Sequence, residues 1–233
     1  GIVHLPNVQL DAKTYDKVKQ YITEAGGNWV GGKTQGFSFP FNPERVFSIL
    51  KTGKRCNLAQ EFQYFATPPT IADRLVELNT AISTAPCVLE PSAGTGALLE
   101  AVWREYPDKK VEYFELMHEN KERLTQMQGP MEFLGEDFLQ CDGNRRWQAI
   151  IANPPFSGNQ DVKHVMRMYE ALERGGCVTA VMSNHWTFAE DKICKDFRQL
   201  LETQDALIES VPSGAFSKSG TSISTTIVRL IKP

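Results

Sequence analysis

Ala149-Ile150-Ile151-Ala152-Asn153-Pro154-Pro155-Phe156 joins a short apolar run to a double proline. The run reads as a buried strand of a parallel sheet. Two prolines cannot continue a hydrogen-bonded ladder, so the strand stops there and a stiff loop begins. That loop holds one amide side chain, one backbone carbonyl and one aromatic ring at the carboxyl end of a strand. Open α/β sheets bind their ligands at that edge. The set suits gripping a planar amino group and stacking on the ring that carries it.

Working outward, strands and helices alternate on both sides of this loop. Before it, the pattern predicts a helix over 71–78, a strand over 87–90, a helix over 97–106, a strand over 111–115, a helix over 118–127 and a short strand over 131–134. After it come a helix over 162–173, ended by Gly175-Gly176, a strand over 177–182 and a helix over 193–201. Segments 206–211 and 225–231 read as a closing pair of strands. Such alternation predicts an α/β fold, a largely parallel sheet with helices on both faces.

The first sixty residues follow a different plan. Asp11 is placed to cap a helix over 12–24, which Gly26-Gly27 ends. Residues 28–30 and 37–39 read as the strands of a hairpin, and Pro43 opens a second helix. Residues 51–60 read as a linker. The expected organisation is therefore a small α+β module over 1–60 and a larger domain over 61–233.

Between the strand over 87–90 and the next helix lies Glu90-Pro91-Ser92-Ala93-Gly94-Thr95-Gly96. Gly94 and Gly96 permit positive φ and close approach of backbone to a ligand. A carboxylate at the head of the turn opposes a pyrophosphate and favours a cationic ligand. Glu115 ends the second strand, where an acid takes ribose hydroxyls. Asp137 follows the third strand and can accept from an adenine amine while Phe138 packs on the ring. Together they suit adenosine with a charged amino-acid tail, which is S-adenosylmethionine. The plainer reading is that Glu115 and Asp137 cap local turns.

Composition sets outer bounds. The chain has 233 residues, 41% hydrophobic and 23% charged, with a formal net charge of −3. That balance argues against coating nucleic acid by bulk charge. It leaves room for local basic faces at Arg145-Arg146, at Lys163-His164 with Arg167, and at Lys192, Lys195 and Arg198. No apolar run approaches the roughly 18–20 residues of a membrane span. Five cysteines without a C-x-x-C pair point to a reducing, cytoplasmic setting rather than a disulfide framework or a metal site.

Taken together, these segments resemble the class I S-adenosylmethionine-dependent amino-methyltransferases, and most closely the gamma-order N6-adenine DNA methyltransferases. Phe65-Ala66-Thr67-Pro68-Pro69 resembles the family's cofactor motif before the glycine turn. Glu90 to Gly96 resembles the glycine-rich motif, Glu115 and Asp137-Phe138 the ribose and adenine positions, and Asn153 to Phe156 the catalytic motif. Gly214-Ala215-Phe216 to Gly220-Thr221 resembles the loop between the last two strands. The resemblance covers about residues 60–233. It implies a Rossmann-like fold with a mixed seven-stranded sheet and transfer of a methyl group from S-adenosylmethionine to adenine N6 in DNA. It also implies Asn153, Pro154, Pro155 and Phe156 as catalytic residues, Asn153 touching the cofactor as well, and a target base flipped from its duplex. The setting it implies is bacterial or phage, of the kind paired with restriction.

Such enzymes usually carry a recognition domain after the last strand, and this chain ends at Pro233. Short or relaxed recognition is therefore expected, with help from the N-terminal module, a second copy or a separate specificity partner. Trp29, Lys33, Gln35 and Phe37 of the hairpin are the internal candidates, although Trp29 and Phe37 also suit the module's own core. Phe216 and Lys218 are expected over the target base, in a loop mobile without substrate. RNA bases or a protein glutamine are alternative acceptors, and a cofactor-binding subunit serving a catalytic partner is the alternative class.

Overall fold

The computed structural model of the chain describes residues 2–5, 8–39, 41–57, 67–212, 214–216 and 224–233. The elements begin with β1 (Ile2–Val3), α1 (Ala12–Glu24), β2 (Asn28–Val30), β3 (Gly36–Ser38), α2 (Glu44–Lys51) and α3 (Pro69–Leu78). They continue with β4 (Cys87–Glu90), α4 (Ala97–Glu105), β5 (Lys110–Phe114), α5 (His118–Leu124), β6 (Met131–Gly135) and β7 (Trp147–Ala152). The last are α6 (Gln160–Ala171), β8 (Leu172–Ser183), α7 (Lys192–Thr203), β9 (Leu207–Ser210) and β10 (Thr225–Ile231). The chain forms two compact units, Gly1–Tyr64 with His118–Gln126, and Phe65–Met117 with Met127–Pro233. The boundary read from the sequence, residue 60, lies near the first division, and α5 groups with the N-terminal residues.

In the first unit, β1, β3 and β2 form an antiparallel sheet in that order. The strand β1 went unread in the sequence because two residues carry no periodicity. Asp11 caps α1, its carboxylate accepting from Thr14 N at 3.0 Å and Thr14 Oγ1 at 2.6 Å. Phe37, Phe39, Phe41, Ile22 and Val46 are buried, and Phe39 meets Phe41 and Phe47 edge-on. A side chain at Gly27 would lie 2.7 Å from Ile22 and from Phe39, so the turn after α1 has room for glycine alone. Arg45 pairs with Glu119 at 3.0 Å and Asn42 N donates to Glu122 at 3.0 Å, which ties α5 to α2.

The second unit is built on a seven-stranded sheet in the order β6-β5-β4-β7-β8-β10-β9. Strands β4 to β8 run parallel, and β10 runs antiparallel to both β8 and β9. Leu89, Ile150, Ala152, Val178, Ala180 and Met182 share a core with Val162, Val165 and Met168 of α6 and Phe197 and Leu201 of α7. The intervening Val88, Ala149, Ile151 and Val181 are also buried. Alternate strand residues face opposite sides, so both faces are covered. On the second face, Thr179 Oγ1 donates to Leu75 O of α3 at 3.0 Å. Connections leave β4 toward β5 and return at β7, so the crevice of this sheet opens at the carboxyl ends of β4 and β7.

The largest departure from the sequence reading in the second unit is at β8. The helix α6 stops at Ala171, and β8 begins at Leu172 instead of 177. Gly175-Gly176 does not cap the helix but forms an irregularity within the strand. Gly175 has φ +76°, and its N–H donates to Lys232 O at 2.7 Å. A side chain at Gly176 would approach Glu173 O at 2.9 Å and Gln148 O at 3.0 Å. The ladder tolerates the irregularity because neither residue carries a Cβ.

Candidate active site

Glu90 is the last residue of β4 and is fully buried. Its Oε1 accepts from Ser92 N at 2.9 Å and from Ser92 Oγ at 3.3 Å. Its Oε2 meets no donor among the described residues. Burial pushes the carboxyl up to about 8; the Ser92 bonds hold it down and the charge of Glu115 adds to the rise. A buried acceptor without a donor is costly in isolation. It becomes favourable beside a cationic ligand. Pro91 and Ser92 carry the chain from Glu90 into the turn. Gly94 and Gly96 take φ +57° and +88°, and Ala93 N donates to Phe114 O at 3.0 Å. The turn therefore lies against β5, and Gly96 opens α4 with its amide-rich end at the same edge.

Glu115 is buried just past β5. Its Oε2 accepts from Gly94 N at 2.6 Å and its Oε1 from Met117 N at 2.7 Å. The acid at the second strand and the glycine turn at the first are thus one hydrogen-bonded assembly. Asp137 caps the short 3-10 turn Phe138–Gln140, accepting from Leu139 N at 2.9 Å. Both acids therefore do cap local backbone, as the plainer reading expected. Phe138 lies in the core, edge-on to Phe114 at 5.5 Å and tilted on His164 at 6.3 Å. Its ring is used in packing, not presented as an open face.

The loop after β7 lies beside this assembly in the sheet order. Asn153 Nδ2 donates to Thr67 Oγ1 at 3.0 Å, which fixes the amide plane. Pro154 and Phe156 are buried and Pro155 half-buried. The helix following the loop is anchored by an acid the sequence reading did not single out. Asp161 is buried; its Oδ2 accepts from Ser183 N at 2.9 Å and Ser183 Oγ at 2.7 Å, and its Oδ1 from Val162 N at 2.9 Å. Burial raises its pKa and the Ser183 and Val162 bonds oppose the rise. A second brace is Asn79, whose Nδ2 donates to Ile150 O at 2.9 Å and Cys177 O at 3.2 Å. The sequence signal for Asp161 was only an acid in a helix's first turn, which ordinarily reads as a cap.

Trp29 and Lys33 belong to the first unit; Trp29 is 43% exposed and edge-on to buried Phe37 at 5.1 Å. Phe216 is only 2% exposed. Phe65, Ala66, Lys218 and most of the loop expected to be mobile lie outside the described residues. Most cations of the basic clusters are occupied: Arg145 pairs with Glu112, Arg167 with Glu170, Lys192 with Asp196 and Lys195 with Glu190. A cavity of about 820 Å³ beside the β6–β7 crossover takes in Asp137, Arg145 and Trp147 but not Glu90, Glu115 or Asn153.

Solved structures share the fold. A type I restriction-modification methyltransferase subunit from Streptococcus thermophilus superposes with a TM-score of 0.60 at 19% identity, over 72% of this chain and 45% of that one. This is the class I methyltransferase fold. The M protein of the type I restriction enzyme EcoKI shares it with a TM-score of 0.56 at 16% identity, over 96% of this chain and 51% of that one. A proposed RNA methyltransferase from Pyrococcus horikoshii shares it at 0.52 and 18%, over 81% of this chain and 98% of that one. The chain spans about half the length of the type I subunits it matches. No family model and no curated protein matches the sequence. Among the described residues, no helix of this class I methyltransferase fold is long and apolar enough to cross a membrane.

Proposed function

We propose that the chain transfers the methyl group of S-adenosylmethionine to the exocyclic N6 amine of adenine in DNA. The observation that carries the reading is the placement of Asn153-Pro154-Pro155-Phe156 at the end of β7, next in the sheet to β4 with its orphaned Glu90. The crevice chemistry fits the cofactor. Glu90 Oε2 suits its ammonium, the glycine turn allows close approach, and Glu115 stands at the ribose position. Asp137 suits the adenine amine, and Thr67, bonded to Asn153, suits the methionine end. When bound, S-adenosylmethionine supplies an electrophilic methyl on a sulfonium.

The chain's own residues then act on the acceptor. Asn153 Oδ1 and Pro154 O each accept one N–H of the target amine. Two acceptors at fixed angles pull the nitrogen from planar toward tetrahedral and turn its lone pair to the methyl. The catalysis is positioning and oriented dipoles; no side chain is required as a strong base, because the cationic methylated amine is acidic and releases its extra proton to water. Phe156 stacks on the target ring. The type I subunits of like fold support a DNA acceptor and assembly with a specificity partner in a bacterial restriction setting. An RNA acceptor is the second reading, supported by the near-complete coverage of the proposed archaeal RNA methyltransferase. Parallel assays on duplex DNA, single-stranded DNA and RNA with labelled cofactor separate the two. Label in N6-methyldeoxyadenosine is expected; label in RNA alone overturns the DNA reading.

A further inference from the structure

The loop that leaves β8 carries features the proposed chemistry does not use. Phe188 is 68% exposed, the highest value among the large apolar side chains of the described residues. It is not a loose residue. His185 meets its ring edge-on at 5.3 Å, and the N–H groups of Phe188 and Ala189 donate back to His185 O. Arg198 Nη1 donates to Trp186 O at 2.5 Å and Ala189 O at 2.9 Å, and Trp186 packs edge-on against buried Phe197 at 5.3 Å. Two polar atoms of the same loop, Asn184 Oδ1 and Trp186 Nε1, are buried and meet no partner among the described residues. A hydrogen-bonded loop that displays an aromatic ring to water and buries unmet polar atoms suits a ligand.

Its position says which ligand. β7 and β8 are neighbouring parallel strands, about 4.8 Å apart. Beyond the Ala152–Ala180 pairing β8 runs on to Ser183, so its loop leaves the same edge further out than the catalytic loop. Asn159 Nδ2 donates to Asp191 Oδ1 at 3.3 Å and joins the two loops. Lys192 and Lys195 beside it are already paired with acids, so the surface is suited to a ring face more than to phosphate. We infer that loop 184–188 is a second nucleobase-binding element, in which Phe188 stacks on an unpaired base flanking the one that enters the Asn153 loop. The inference rests on the nucleic-acid reading above.

The test is binding of a fluorescent single-stranded DNA oligonucleotide to the full chain with S-adenosylhomocysteine present, read by anisotropy. Phe188→Ala is expected to weaken binding by about 5- to 100-fold, the range for loss of one base–aromatic stack. Phe188→Trp is expected to restore it, and both variants should keep the cofactor affinity and thermal midpoint of the unmutated chain. No oligonucleotide binding by the unmutated chain overturns the inference, as does unchanged binding by Phe188→Ala or equal weakness of Phe188→Trp. Methyl transfer is scored separately. Intact stacking behaviour without a methylated nucleoside overturns the adenine reading and leaves the inference standing.

Discussion

Glu90 holds a proton at neutral pH that the unfolded chain would release. Its folded pKa of about 8 lies above the ordinary value of 4.5. Stability from this group is therefore full below pH 4.5, declines as pH rises, and levels off above 8. Glu90→Gln should remove that slope and leave the ligand-free protein more stable at pH 8, by on the order of 2–4 kcal/mol. Urea unfolding of both proteins at pH 5 and pH 8 checks it; equal slopes would contradict the account. Cofactor binding runs the other way. A cation must displace the Glu90 proton below pH 8, so affinity should tighten with pH, by up to about tenfold per unit between 6 and 8. Calorimetry across that range should find proton release, and Glu90→Gln should bind weakly at every pH. Asn153→Ala should lower turnover by about 100-fold or more, while Thr67→Val, which frees the amide plane, should cost less. The identities of these residues were legible because a double proline, two glycines and acids at successive strand ends are local signals. The burial that orphans Glu90 Oε2 was not legible, because neighbours far along the chain create it.

The elements divide in the same way. Strand and helix order was readable from periodicity, and the closing strand at 225–231 has the bounds expected. The start of β8 was misread because a Gly-Gly pair is a helix terminator in isolation and a strand irregularity when Lys232 and Gln148 lie against it. Asp161 and Asn79 show the limit most clearly: each looks like an ordinary cap, yet each crosslinks elements whose meeting only the fold decides. Asp161→Ala leaves the Ser183 and Val162 donors without a buried acceptor, so a loss of about 2–4 kcal/mol is expected. Chemical denaturation reads it; a change under about 0.5 kcal/mol would show that the brace does not hold α6 to β8.

At the scale of the whole molecule, the sequence pattern was read as a small N-terminal module ahead of a sheet domain. It could not show that α5, between β5 and β6 in the chain, groups with that module, because the Arg45–Glu119 pair is long-range. If the module reads DNA, Trp29→Ala with Lys33→Ala should raise the KM for DNA about tenfold and leave cofactor affinity unchanged. Because the basic clusters are largely neutralised by their own acids, DNA affinity should fall only shallowly with salt, with fewer phosphate contacts than a charge-driven binder. The central claim is methyl transfer to an exocyclic adenine amine at the Asn153 loop. Its most direct test is to incubate the chain and Asn153→Ala with labelled S-adenosylmethionine and unmethylated duplex DNA, digest to nucleosides and identify the label by mass spectrometry. N6-methyldeoxyadenosine from the unmutated chain alone is the expected result. Measurable cofactor binding with no methylated deoxyadenosine, or equal product from both proteins, would contradict it.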